Sequence, residues 1–430
     1  MSLTGRGREA VQRRILTVLI LGQLLAGAGL AAGVTVGALL AEDLLGGPGL
    51  SGLPSALFTG GSALAAVLVG KLSQARGRRP GLAAGFAFGA LGAVGIVLAA
   101  AAGSLPLLFL SFVVYGSGTA TNLQARYAGA DLATDDNRAR SLSYVLLGTT
   151  AGAVAGPNLV GPTGAFADTV GMPTLTGPFM LAAVAYGGAA IVILLLLRPD
   201  PLLESRCLDA AAGAAGAVSV TASSSSGSPT PTPAPPARVW NADVITGVVV
   251  MALTQFVMVG LMTMTPVHMR AHDHAVTVVG LVISLHVAAM FLPAPLSGLL
   301  VDTFGTRTVA VSAGVVLLAS GALAALAPPG STPLITLALI LLGVGWSLGL
   351  VSGTTVLTTA VPSSVRATVQ GQADVAVALS GAAGGLLSGL VFAWIDFRGL
   401  GFALAALSLI VVAAVRPRRT SATTTADATV

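Results

Sequence analysis

Gly298-Leu299-Leu300-Val301-Asp302-Thr303-Phe304-Gly305-Thr306-Arg307 joins two long apolar runs, and Gly70-Lys71-Leu72-Ser73-Gln74-Ala75-Arg76-Gly77-Arg78-Arg79 does the same in the first half of the chain. In each, glycines bend the backbone while basic residues keep the turn in water. A second echo lies further along. Asn137-Arg138-Ala139-Arg140 precedes the fifth apolar run, and Ser364-Val365-Arg366-Ala367 precedes the eleventh. Turns that recur at matching places mark a chain built from two similar halves.

Composition places those halves in lipid. Of 430 residues, 54% are hydrophobic and 9% charged, with a mean hydropathy of +0.90, whereas a soluble globular chain carries about 25% charged residues. The 55 glycines suit close backbone approach between membrane helices. A net charge of +5 could suggest a nucleic-acid partner, but the basic residues fall in short clusters between apolar runs, so topology explains them and no nucleic acid is expected. Cys207 is the single cysteine, which excludes an intrachain disulfide and a thiolate metal cage.

A bilayer core needs about 20 apolar residues per helix, and twelve runs qualify, at 15–41, 51–70, 81–102, 105–128, 139–161, 178–197, 243–267, 275–297, 308–327, 333–357, 368–394 and 399–415. The first is too long for a signal-peptide core and reads as a membrane helix. Basic turns alternate with poorly charged ones. The positive-inside rule therefore predicts a multi-pass protein of the cytoplasmic membrane with both termini in the cytoplasm. Residues 199–240, with Ser223–Ser226 and a Pro/Thr-rich stretch, read as a disordered cytoplasmic linker between an N-terminal six-helix bundle, 1–198, and a C-terminal one, 241–430, with a short cytoplasmic tail.

The turn that opened this reading resembles the G-x-L-x-D-x-x-G-x-R signature of the major facilitator family, carried by Gly298, Asp302, Gly305 and Arg307. Gly70, Gly77 and Arg78 keep the pattern in the first half, with Gln74 where the family usually has Asp. The resemblance covers nearly the whole chain. It implies an all-α fold of twelve transmembrane helices in two six-helix bundles and a secondary-active carrier, not an enzyme, whose midplane site opens alternately to either side. A neutral Gln74 latch implies a looser hold on the outward-open state. Gly152 to Gly161 resembles the G-x-x-x-G-P-x-x-G-G signature of proton-coupled exporters, with Val160 replacing one glycine, although such spacing also suits plain helix packing.

All four histidines, and six of the nine methionines, lie between positions 251 and 290. Met258 with Met262, and His286 with Met290, are spaced i, i+4 on one helical face. Counting helical rise from the outer turn puts Met262 about 9 Å deep, Met258 about 15 Å and His286 about 18 Å, so the pairs are expected near the midplane. Thioether and imidazole donors favour Cu(I) over harder cations. Met264, His268 and Met269 are candidates to collect the ion nearer the mouth. M-x-x-x-M, a Thr-Pro at Thr265 and Pro266, then H-x-x-x-M resembles the CcoA-like copper importers, which implies copper uptake for copper-oxidase assembly.

Among polar residues inside the runs, Asp374, Gln255, Arg126 and Asn158 are functional candidates. Asp374 is the expected proton-coupling carboxylate, about 12 Å along its helix from Arg366. No nucleotide-binding loop or hydrolase motif is present. Copper uptake is the leading expectation, with copper as cargo and no cofactor. A proton-coupled exporter of small organic compounds is the alternative, and a monomer in membrane lipid is expected either way.

Overall fold

The computed structural model describes residues 5–45, 53–211 and 239–415, so the linker stretch 212–238 lies outside the described residues. The chain is helical throughout: α1 (Gly5–Leu45), α2 (Leu53–Arg76), α3 (Arg78–Ala102), α4 (Leu105–Ala130), α5 (Arg138–Asn158), α6 (Val160–Thr169), α7 (Gly177–Leu196), α8 (201–211), α9 (Ala242–Ala271), α10 (Val276–Phe291), α11 (Ala294–Leu326), α12 (Thr332–Ala360) and α13 (Arg366–Ala414). Lipid offers no partner to a free N–H or C=O, and helices satisfy both within one segment.

Seven stretches among the described residues are long and apolar enough to cross a membrane. Two of them, Val278–Leu326 and Arg366–Ala414, run for 49 residues. A straight helix of that length would span about twice the bilayer core. Each is instead broken, at Gly305 (φ 82°) and at Ile395–Asp396 (Asp396 φ 60°), and turns back as two passes. Together with α2, α4 and the α5–α6 pair this makes twelve passes.

Within the N-terminal half α1 packs on α5 and α7, and α3 on α4 and α7; within the C-terminal half α9 packs on α13 and α11 on α12. The halves meet along α2 against α13 and α5 against α11. Both seams are tightest at the end that carries the basic turns. A Cβ on Gly70 would lie 2.8 Å from the Ala367 carbonyl, and one on Gly371 would lie 2.5 Å from that of Ala66. On the other seam a Cβ on Gly298 would lie 2.6 Å from the Ala139 carbonyl. The matched turn glycines thus let backbone meet backbone across the halves. Gly77 (φ 98°) and Gly305 (φ 82°), also matched, take left-handed conformations that a side chain resists.

Large apolar side chains stand on the perimeter, among them Val184 (75% exposed), Leu386 (71%) and Trp394 (86%). Such a surface is a liability in water and the bilayer face of a membrane protein.

One boundary differs from the sequence reading. Residues 201–211, placed above in the linker, form α8: Asp200 Oδ1 accepts the Leu202 and Leu203 amides at 3.1 and 3.2 Å, Leu202 is buried, and Leu208 packs on the core of the N-terminal half. An Asp cap and an apolar face outweighed the proximity of the proline-rich tract.

The α2–α13 seam makes a direct prediction. Gly371→Leu is expected to cost roughly 1–3 kcal/mol by overpacking, read as a lower melting temperature in detergent. Gly389→Leu in the same helix, where nothing lies within 4 Å, should leave the melting temperature unchanged or raise it.

Candidate functional site

At the basic end the two halves are tied in three layers. The outermost is a pair of helix caps related by the internal repeat. Asp302, at the end of the pass formed by α10 and the start of α11, accepts the Ala139 and Arg140 amides of α5 at 2.9 and 3.0 Å and pairs with Arg140 Nε at 3.2 Å. A carboxylate here meets the positive end of the α5 dipole. On the other seam Gln74 Oε1 accepts the Ala367 amide of α13 at 2.8 Å, and its Nε2 donates to the Ser363 carbonyl at 3.3 Å and to that of Ser364. Gln74 therefore holds by hydrogen bonds what Asp302 holds partly by charge. Arg307 reaches back to Asp243 at the start of α9 (3.3 Å), and both are nearly half exposed.

The second layer is buried. Arg78 Nε pairs with Asp131 at 2.8 Å, its Nη2 donates to Gln370 Oε1 of α13 at 2.5 Å, and Arg366 stands 3.8 Å from Asp131. Arg78 is fully enclosed.

The third layer brings together two residues singled out from sequence. Arg126 of α4 donates from Nη2 to Asp374 Oδ1 of α13 at 2.7 Å, and from Nε to Thr354 of α12 at 3.0 Å. The Tyr127 hydroxyl donates to the same Asp374 oxygen at 3.1 Å, and Arg126 lies 4.3 Å from the Tyr127 ring centroid. Arg126 is 0% exposed and Asp374 4%, while Asp374 Oδ2 is buried without a hydrogen-bond partner. The partner of Asp374 is Arg126 of the opposite half; Arg366 serves Asp131 instead. Sequence reasoning missed Tyr127, Thr354 and Gln370. Gln370, one turn before Asp374 on the same face, was a usable signal.

The other candidates lie elsewhere. Gln255 accepts from Trp346 Nε1 at 2.7 Å, linking α9 to α12. The Asn158 side chain lies outside the described residues. Met258 and Met290 belong to the apolar core of the C-terminal half, and Met262 and Met264 pack on it half-buried. His286 is fully buried, with Nδ1 2.8 Å from the Leu339 carbonyl of α12. Nearer the far end Met269 packs with Val279, Val282, Ile335 and Leu339, and His268 stacks on Phe397 with centroids 4.1 Å apart. Among the described residues no group of three or more His, Cys, Asp or Glu side chains is placed to hold a metal ion.

Two repeated helical bundles, joined along glycine seams and tied by charges at one end, are the architecture of a membrane carrier. The family model of the Major Facilitator Superfamily matches residues 19–384 and 247–429, and the chain belongs to that superfamily of membrane carriers, which are not enzymes. It is 49% identical over 408 residues to the uncharacterized MFS-type transporter YddS of Bacillus subtilis, covering 95% of this chain and 91% of that one. It is 30% identical over 410 residues to the riboflavin transporter RfnT of Brucella anthropi, covering 93% and 94%. Among solved structures it is similar to the human organic anion transporter MFSD10, with a TM-score of 0.73 at 19% identity, covering 94% of this chain and 99% of that one.

A buried charge deprived of its partner is costly, and removal of both partners is less so. Arg126→Met should destabilise the protein by about 3–5 kcal/mol, whereas Arg126→Met/Asp374→Leu should recover most of that loss. Thermal unfolding of the four members of this double-mutant cycle measures it; additive effects would show that the pair is uncoupled.

Proposed function

We propose that this chain is a proton-coupled carrier of a small organic solute in the cell membrane, with Asp374 as the group that takes up the proton. On this reading the basic end is cytoplasmic, and the structure is the state closed on that side. The observation that carries the reading is the Arg126–Asp374 pair, a buried carboxylate that holds the opposite half through a 2.7 Å contact. While Asp374 is charged, parting the halves would strand two opposite charges in a low-dielectric interior, which is strongly unfavourable. A proton on Asp374 removes the attraction and lets Arg126 turn to other acceptors. The unpaired Oδ2 is the oxygen free to receive it. Tyr127 and Thr354 position the pair.

An organic cargo is supported by the riboflavin transporter, similar along nearly its full length. The exporter-like stretch of α5 adds no direction of flux, because a Cβ on Gly152 would press on α1 at Gly27 and Leu24 (both 2.7 Å), a packing role that explains this glycine by itself. Copper uptake is the second reading, and one observation favours it: His286 Nε2 is buried and meets no hydrogen-bond partner. Against it, two of the proposed donors, Met258 and Met290, are packed into an apolar core.

One experiment separates the two. Protein in liposomes with an imposed pH gradient is offered radiolabelled riboflavin or copper. The expected result is gradient-driven riboflavin movement that falls at least about tenfold in Asp374→Asn while riboflavin counterflow persists, as loss of a coupling group alone requires. Gradient-driven movement unchanged in Asp374→Asn would sink the coupling role. Copper accumulation abolished by His286→Ala, with no riboflavin flux, would transfer the cargo to copper.

A further inference from the structure

Helix α8 follows the sixth pass and has no part in any role described so far, yet it touches both halves at their narrowest junction. Its seating on the N-terminal half is firm. Leu202 and Ser205 are buried, and Leu208 packs against the core of that half. Asp200 caps the helix, and its Oδ2 also accepts the Arg79 amide at 2.8 Å, fastening α8 to the first turn of α3. Gly77 makes that approach possible, since any Cβ there would collide with the Asp200 carboxylate.

From this platform Arg206 reaches across. Its Nη2 donates to the Gln74 carbonyl at 2.7 Å and its Nε donates to the Ser363 carbonyl, just ahead of α13, at 3.3 Å. One guanidinium thus bonds the N-terminal half and the C-terminal half at once. The Ser363 carbonyl is the acceptor that Gln74 Nε2 also uses. Three residues, Gln74, Arg206 and Ser363, form one knot over the α2–α13 seam. On the α5–α11 seam the matched tie among the described residues is the carboxylate of Asp302 with the guanidinium of Arg140.

We propose that α8 is a clamp on this junction: Arg206 supplies the charged tie that Gln74 cannot, and the halves part at this end only when Arg206 releases Ser363. A planar fork with several N–H donors suits two carbonyls in fixed positions, and bonds from a charged donor are the stronger kind. The clamp is independent of the cargo and of the proton-coupling role of Asp374, so either can fail without the other.

The test reads the separation of the halves directly. Spin labels at Ala75→Cys and Thr303→Cys, both exposed and in opposite halves, are placed in a Cys207→Ser background, and double electron–electron resonance gives the distance distribution. Arg206→Gln is expected to raise the ratio of parted to closed populations about tenfold, the effect of losing bonds from a charged group. Arg206→Lys, which keeps the charge and loses the fork, should give a smaller rise. If Arg206→Gln does not yield monodisperse protein, Arg206→Lys decides. An unshifted distribution in whichever folded variant is measured overturns the clamp.

Discussion

A guanidinium sealed from solvent inside a membrane protein must find its counter-charge in protein, and Arg126 finds it on the other half of the molecule. That choice organises much of what surrounds it. Because the acceptor, Asp374, sits on α13, the interface between halves must close far enough to bring α4 within 2.7 Å of it. Closure to that distance needs the glycine contacts of α2 on α13, and those contacts bring the turn residues into capping range. A buried pair of this kind contributes little net stability over an apolar substitute. What it adds is conditionality, since the closed arrangement is favourable only while both charges are present and opposed.

Much of this fold could be read from the sequence, and the reason is the solvent. Lipid demands long apolar helices and concentrates charge at turns, so twelve runs and their basic turns stand out without any homologue. The repeat was legible because Gly70 and Gly298, and Gly77 and Gly305, recur at the same offsets. The ends of helices were less so. Residues 201–211 carry an Asp cap and three leucines, a short signal beside a long low-complexity tract, and the tract dominated the reading. The abrupt reversals at Gly305 and Asp396 show in the backbone, and only Gly305 announces itself by residue type.

The candidate site was legible in parts. Asp374 and Arg126 stood out because each is an ionisable residue in an apolar segment, a costly arrangement that calls for a reason. Their partnership was not visible, since pairing across 248 positions depends on how two bundles dock. The methionine and histidine pattern shows the opposite limit. Helical spacing put Met258 and Met262 on one face correctly in principle, but spacing carries no information on what that face meets. Met258 and Met290 met apolar core, while His286 met a backbone carbonyl. Soft, flexible methionine serves as packing material as readily as a ligand.

The two outer caps are equivalent by descent of pattern and unequal by chemistry. Asp302 accepts two backbone amides and pairs with a partly exposed guanidinium, so part of its hold is electrostatic. Gln74 itself is neutral, and the charge on its seam comes from Arg206 of α8. Two unlike fasteners, one on each seam between the halves, are not bound to release together. The pseudo-twofold symmetry of the fold is therefore broken in the chemistry of its fasteners: one seam is held by a carboxylate on helix amides, the other by an amide side chain and a guanidinium lent by α8.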